Sequence, residues 1–160
     1  MKFRRKIVRY LPPLAVASTL MIAVLLLPYL LILGQQYPII ITLVRTLDMT
    51  GNPQTSFPRG SNVAVESTIQ SQAYAYGPPL QYLLIVQITD PNDYVVFIGF
   101  ITDVIPPGGT KTAGSGYLIP VGATVGDYTV DVYVWNGWPS QMGGNFQPLS
   151  APGRTTFQVT

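Results

Sequence analysis

The hydrophobic pattern divides the chain into a helical part and a strand-like part. Residues 14–34 form a run of 21 uncharged, mainly apolar residues, and no charge follows it until Arg45. As a helix this run would be roughly 31 Å long at about 1.5 Å per residue, which matches the hydrocarbon thickness of a bilayer. After Gln36 the apolar residues alternate with polar ones or form short β-branched runs, which is the pattern of strands.

The residues before the apolar run indicate its orientation in a membrane. Basic residues next to a transmembrane helix favour the cytoplasmic side. We therefore predict a cytoplasmic flank at 1–10, a transmembrane helix at 11–34 and an extracytoplasmic domain at 35–160, in a single-pass protein of the cell membrane. The five cations of the flank are Lys2, Arg4, Arg5, Lys6 and Arg9.

A cleaved secretory signal is the alternative to a retained anchor. Such signals have a shorter apolar region, of about 7 to 15 residues, and small residues at the cleavage site. Here the run is longer, and Ile32 would be a poor residue three places before a cut at Gln35. The anchor is the favoured alternative, and cleavage would instead give a secreted protein.

The strand-like part predicts an all-β domain, with turn residues between the strands and no helical pattern after residue 36. Asp-Pro-Asn-Asp at 90–93 has the chemistry of a tight turn, and residues 105–116, rich in Gly and Pro, are predicted as a loop. This pattern favours a seven-strand immunoglobulin-like sandwich preceded by one N-terminal transmembrane helix. The predicted strands are 37–48, 62–70, 80–90, 94–102, 116–120, 126–135 and 154–160.

Two of these strands alternate strictly enough to predict which side chains face the core. In the strand 62–70 one face is mainly apolar and the other polar, and the strand 126–135 shows the same alternation. The predicted inward residues are Val63, Val65, Ser67 and Ile69 on the first strand and Tyr128, Val130, Val132 and Val134 on the second.

Three segments carry a resemblance to a known class of domain. The stretches FPRGSNVAVESTI, QITDPNDYVV and VGDYTVDVYVW resemble surface immunoglobulin-like modules of bacteria and archaea, of the cell-adhesion-related (CARDB) and macroglobulin-like type. In those modules a Gly precedes the second strand, an Asp-Pro turn links the middle hairpin and Gly-x-Tyr opens the penultimate strand, where Tyr128 takes the place of the corner tyrosine. The resemblance covers roughly residues 40–160, is architectural, and implies no activity.

Composition excludes several kinds of chemistry. The chain has no Cys and no His, which removes disulfides, thiol chemistry, the usual general base and the commonest transition-metal ligand. We predict that it is not an enzyme and holds no cofactor or metal. Residues 35–160 carry four cations and seven carboxylates, a net charge of −3, so we expect no nucleic-acid partner. The scarcity of Lys in this part resembles surface proteins of thermophilic archaea, or reflects a β-rich composition alone.

The pair Asp90 and Asp93 has two interpretations. Carboxylates this close could contribute to a Ca²⁺ site, which needs six to eight oxygen ligands, with Asp48 or Asp103 as a further ligand. No dense acidic loop surrounds them, so capping of the turn is the favoured interpretation.

Two loops carry the residue types of contact surfaces. One, 71–79, joins the second and third predicted strands, and the other, 136–153, joins the last two and is long for a strand connection. The alternative for Trp135 and Trp138 is that they fold back onto the sandwich as part of its core. The predicted interaction residues are Tyr74, Tyr76, Trp138, Met142 and Phe146.

The topology of the predicted sandwich brings these loops to the end where the first strand begins. Almost no linker separates the apolar run from that strand, and Tyr and Trp favour the membrane–water interface. The predicted partners are therefore membrane lipid, through residues 11–34, and a protein in or on the membrane.

Three functions remain open at this point. The first is a non-catalytic binding and assembly module, an accessory or structural subunit of a cell-surface or membrane complex. The second is a secreted filament subunit that polymerises with itself by strand addition, and the third is a cofactor-free accessory subunit of a membrane oxidoreductase. The strand-exchange candidates for the filament are Ile39, Ile40, Ile41, Leu43 and Val44.

Overall fold

The computed structural model describes residues 37–73 and 77–160. The predicted transmembrane helix at 11–34 lies outside these ranges, and within them no helix has the length and apolar character needed to span a bilayer. The described part holds eight strands: β1 (Ile39–Leu47), β2 (Ser56–Phe57), β3 (Asn62–Ser71), β4 (Leu80–Thr89), β5 (Val95–Ile105), β6 (Thr110–Leu118), β7 (Gly126–Trp135) and β8 (Gly153–Val159).

These strands form two sheets packed face to face. One sheet has the order β1-β3-β6 and the other the order β2-β8-β7-β4-β5. All neighbours are antiparallel except β2, which runs parallel to β8. The prediction of an all-β, two-sheet sandwich is confirmed, and this strand order is that of a generic immunoglobulin-like fold.

The core lies between the sheets and is built from the alternating faces of β3 and β7. All eight side chains predicted to face inward on these strands are buried. One of them, Tyr128, also forms the corner that was predicted for it, because its hydroxyl donates a hydrogen bond to the carbonyl oxygen of Thr124 at 2.9 Å. Burial raises the pKa of the Tyr128 phenol, so it stays protonated and able to donate at neutral pH.

A β-bulge in β1 changes which residues of this strand face the core. The register against β3 shifts between Ile41 and Leu43, so that Ile41 pairs with Ile69 while Val44, three residues further on, pairs with Ser67. The extra residue is Thr42. In a straight strand without the bulge, the period of two that places Ile39 and Ile41 inward would also turn Arg45 towards the core. With it, Arg45 lies beside Glu66 and forms an ion pair of 2.7 Å.

Three details of the predicted strand map are wrong. Residues 105–116 were expected to form a loop, but β6 begins at Thr110 and pairs with β3 along its whole length. The short β2 lies between the predicted strands 37–48 and 62–70, where only a turn was expected. A four-residue helix, α1 (Pro139–Met142), followed by a 3₁₀ turn, interrupts a region in which no helix was expected.

The β6 error has a packing cause. The inward residues of β6 include Ala113 and Ser115, which are small because β5 lies close to this edge. A Cβ placed on Gly99 of β5 would lie only 2.5 Å from the Ser115 hydroxyl oxygen. Where two sheets approach closely, their strands need small residues, and small residues are also typical of loops. For this reason the sequence of residues 105–116 predicted a loop.

Candidate interaction site

Backbone hydrogen bonds bring the start of the first strand and the two predicted contact loops to one end of the sandwich. The amide of Gln72 donates to the carbonyl of Pro38 at 2.8 Å, and the amide of Ile39 donates to the carbonyl of Leu149 at 3.0 Å. The β5–β6 turn lies at the same end, since the amide of Ser71 donates to the carbonyl of Gly109 at 2.9 Å. We call this surface, formed by residues 37–38, 72–73, 77–79, 106–109 and 136–152, the first-strand end.

The long loop at this end is folded onto the outer face of the five-stranded sheet. The ring of Trp138 packs against Phe100 of β5 with centroids 4.9 Å apart, and Phe146 stacks on Trp135 at 4.2 Å with the rings nearly parallel. Trp138, Phe146 and Met142 are each half-buried. Trp135 and Trp138 thus pack onto the sandwich, but on its outer face and not, as the alternative expected, within its core. The three predicted contact residues keep part of their surface exposed.

Asn136 holds the loop in this position. Its side-chain amide nitrogen donates to the carbonyl of Asn145 at 2.6 Å, while its side-chain oxygen accepts from the amide of Gln147 at 3.0 Å. Pro139 opens α1, where its missing N–H has no helical partner to lose. The loop is thus an ordered platform rather than a loose connection, which the sequence did not reveal.

The other two predicted contact residues, Tyr74 and Tyr76, lie outside the described residues. The described residues on either side of them, Ala73 and Gly77, belong to the first-strand end. Ala73 is fixed there by its amide, which donates to the hydroxyl oxygen of Ser71 at 3.2 Å.

A small aromatic cleft adjoins the platform. It has a volume of about 230 Å³ and is lined by Tyr37, Tyr133, Trp135, Pro148 and Ser150, among others. The hydroxyl of Ser150 is buried and makes no hydrogen bond. The walls of the cleft suit contact with apolar and aromatic groups.

Two of the carboxylates predicted as possible cation ligands, Asp90 and Asp48, cap turns, whereas Asp103 forms an ion pair with Lys111. One carboxylate oxygen of Asp90 accepts from the amides of Asn92 and Tyr94, each at 2.9 Å. Asp93 takes the left-handed backbone conformation, with φ of 65°, which Asp tolerates better than most residues. In residues 37–73 and 77–160 no three His, Cys, Asp or Glu side chains are grouped so as to hold a metal ion.

Asp48 caps another turn, and the hydrogen bonds that it accepts there lower its pKa. It accepts from the hydroxyl of Thr50 at 2.7 Å and from the amides of Thr50 and Asn52, each at 2.8 Å. These bonds, led by the one from the Thr50 hydroxyl, lower the pKa of Asp48 to about 2. Its role is structural.

The strand-exchange candidates lie in β1, the terminal strand of the three-stranded sheet. β1 pairs with β3 of its own domain along nearly its whole length. Ile39 is buried, whereas Ile40 and Leu43 point outward and are exposed.

Sequence reasoning missed the outer face of β5. Val96, Ile98, Phe100 and Val104 project from this strand and are all exposed. A strand that is apolar on both faces is normally covered on both faces, so the run 94–102 gave no sign that one side would be open. Only the exposure of these side chains in the folded domain reveals it.

Comparison with known proteins supports the fold but assigns no family. No protein-family model and no curated protein sequence matches the chain. Among solved structures, the C-terminal domain of Wzt is similar over 78% of this chain and 75% of that chain, with a TM-score of 0.61 and 12% identity. Identity this low shows a shared β-sandwich and nothing further.

Two larger proteins contain a similar domain. A family 2 glycoside hydrolase, a β-glucuronidase, matches with a TM-score of 0.55 and 18% identity over 76% of this chain and 13% of that chain. The alkylpurine DNA glycosylase AlkC of Pseudomonas fluorescens matches with a TM-score of 0.52 and 14% identity over 76% of this chain and 30% of that chain. The chain thus spans a small part of either protein, and the likeness again concerns the fold alone.

Proposed function

We propose that this chain is a non-catalytic, membrane-anchored binding and assembly module, an accessory or structural subunit of a cell-surface or membrane complex. The observation that carries the proposal is the hydrogen-bonded junction at the first-strand end, where Pro38 meets Gln72 and Ile39 meets Leu149. This junction places the start of the domain beside both contact loops.

The sequence before the domain bears on where this junction lies relative to a membrane. Only Gln35 and Gln36 separate the apolar run 14–34 from Tyr37. If the run is retained in a bilayer, a linker of two residues reaches at most about 7 Å, so the first-strand end must lie close to the membrane surface. The aromatic residues of this end then occupy the zone that Tyr and Trp favour.

The chemistry of the domain suits binding better than catalysis. Without His or Cys, a serine here would lack its usual activating base. The ordered platform of Trp138, Met142 and Phe146 offers aromatic and thioether surface, which is common at protein interfaces. Within this proposal, the closer assignment is to the CARDB and macroglobulin-like modules of bacterial and archaeal cell surfaces, on the turn and strand motifs that the chain shares with them.

The test is native purification of the full chain from membranes, with identification of the proteins that elute with it. Replacing Tyr74 and Tyr76 together by Ser should weaken the recovery of a membrane partner. Tyr94→Ser is the matched control, because Tyr94 is an exposed tyrosine at the opposite end of β4. Equal recovery with all three proteins would contradict docking through this end.

The filament subunit is the second candidate. It is favoured by the position of β1, an apolar terminal strand that follows directly on the possible cleavage site. The mass of the mature N-terminus separates the two candidates. An intact Met1 region excludes release of the strand, whereas a chain that begins near Gln35 excludes the anchor.

A further inference from the structure

Strand β5 is the open edge of the five-stranded sheet. It spans Val95–Ile105, and among the described strands its hydrogen-bonded neighbour is β4 alone. Edge strands expose a row of backbone N–H and C=O groups that can pair with another strand. An edge of 11 residues is long compared with the usual strand of about 5 to 6 residues.

The outward backbone groups of β5 can be assigned. In an antiparallel ladder, alternate residues direct both their N–H and C=O to the same side. The N–H of Val104 donates to its neighbour Asp103 at 2.7 Å, which marks Val104 as facing away from β4. The pairing with β4 is regular from Phe97 to Ile105, so Thr102, Phe100 and Ile98 also direct their backbone groups outward.

The same residues carry exposed apolar side chains. Ile98 and Phe100 are 48% and 49% exposed, and Val96 is 39% exposed. The stretch 94–102 has no charged residue and no proline. The bulge of β5 lies at Val96, near the start of the strand. From Phe97 to Thr102 the strand therefore has no charge, no proline and no bulge, which are common devices that keep an edge strand from pairing.

The other sheet edges are each protected. The edge strand β1 is packed closely by β8, because a Cβ on Gly153 of β8 would touch Ile41 and Val44 of β1. Strand β1 also carries a bulge and the charged Arg45. β6 carries Lys111, which forms an ion pair with Asp103. β2 has only two residues. Among the terminal strands of the two described sheets, β5 alone combines an uncharged stretch with a row of exposed large apolar side chains.

We propose that β5 pairs antiparallel with β5 of a second copy of this chain, about a two-fold axis at Phe100. This register sets Ile98 opposite Thr102 of the second copy and Phe100 opposite its own equivalent. The outward backbone N–H and C=O groups of these three residues can then form hydrogen bonds with those of the second copy. Val104, whose N–H is already bonded to Asp103, falls opposite the bulged Val96 at each end.

Charge and symmetry favour a second copy as the occupant. The uncharged stretch is complementary to itself, and the two copies of Asp103 lie six residues apart along the ladder, roughly 20 Å at about 3.3 Å per residue. At that distance their repulsion is largely screened at physiological salt. A two-fold contact uses β5 of both copies, so assembly through it stops at a dimer. This surface is distinct from the first-strand end, and the pairing does not depend on the proposed membrane docking.

The first test is the mass of the full chain in detergent, by native mass spectrometry and sedimentation. We expect a discrete dimer that Ile98→Lys weakens by at least about tenfold, because a lysine on the edge hinders pairing. Ile40→Lys is the matched control, an exposed isoleucine on the other terminal strand, β1, and should leave the dimer intact. A wild-type monomer, open-ended aggregates, or equal loss with both variants would overturn the proposal.

The second test fixes the register. The chain has no cysteine, so Ile98→Cys and Thr102→Cys each introduce a single thiol. Mixed together and oxidised, the two variants should form a disulfide-linked heterodimer, because paired residues lie about 5.5 Å apart, within disulfide reach. Each variant alone places its thiols about 13 Å apart and should remain uncrosslinked. Failure of the mixture to crosslink would contradict the pairing. The Tyr74→Ser, Tyr76→Ser protein should still dimerise, which separates this test from membrane docking.

Discussion

A side chain on Gly153 would collide with Val44: a Cβ there would lie 2.8 Å from a Val44 methyl carbon and 2.9 Å from one of Ile41. Gly153 opens β8, while Val44 and Ile41 belong to β1, so the missing side chain lets strands of the two sheets approach along this side. We expect Gly153→Ala to lower the free energy of unfolding by about 1–3 kcal/mol through overpacking. The free energy of unfolding can be measured by urea unfolding of the full chain in detergent, with the fluorescence of Trp135 and Trp138 as the signal.

Gly116→Ala is the control for this prediction. Gly116 also lies in a strand, but a Cβ there meets no atom within 4 Å. Its substitution should change the unfolding free energy by no more than about 0.5 kcal/mol. Similar losses in both variants would mean that the contact with β1 is not the cause.

The corner hydrogen bond of Tyr128 predicts a second stability change. Tyr128→Phe keeps the buried ring, which stacks on Phe157 at 5.3 Å, and removes only the hydroxyl. Thr124 is exposed, so water can replace the lost donor at its carbonyl. We expect a loss of about 1 kcal/mol in the same unfolding assay, and no change with Tyr94→Phe. A neutral Tyr128→Phe would show that the corner is held by packing alone.

The cap at Asp48 predicts a pH dependence. The pKa of this carboxyl is about 2 in the folded chain, against an ordinary value of 3.8, so its ionised form stabilises the fold. This stabilisation is complete above the ordinary value and is lost as the pH falls through about 2. Asp48→Asn should therefore be less stable than wild type at pH 7, and the difference should close between pH 4 and pH 2. A difference that stays constant over this range would assign the loss to geometry instead.

The contact between Trp138 and Phe100 predicts an energetic coupling. Trp138→Ala, Phe100→Ala and the double variant should show a coupling of about 0.5–1.5 kcal/mol in a double-mutant cycle. Val104→Ala is the comparison, because Val104 lies on the same face of β5, four residues further along. Its effect should add to that of Trp138→Ala within about 0.5 kcal/mol. Additivity in both cycles would mean that the long loop does not rest on β5.

The parts of the fold that the sequence predicted are those where one face of a strand is buried and the other is wet. β3 and β7 alternate because the inner face must be apolar and the outer face need not be, and their inward residues were predicted without error. β6 was missed because its inner face packs against a neighbouring edge at close range and holds small residues. α1 has only four residues, too few to show a helical period.

The candidate site was harder to predict than the fold. The sequence does not distinguish an aromatic loop residue that points to a partner from one that packs back onto its own sheet. The position of Trp138 depends on Phe100, which is 38 residues earlier in the chain, and on the side-chain bonds of Asn136. The openness of β5 depends on sheet order, which is a property of the whole domain.

The extra residue at Thr42 has a consequence for any exchange of the first strand between chains. The bulge lies in β1 alone, because the residues of β3 opposite it, Ser67, Thr68 and Ile69, follow one another without a gap. A straight neighbouring strand can therefore receive β1, provided that β1 bulges at Thr42 there as well. A pairing without the bulge would place Ile39 and Ile41 in the core and would then turn Arg45 towards it, so the charge of Arg45 selects the bulged pairing in any sheet that accepts this strand.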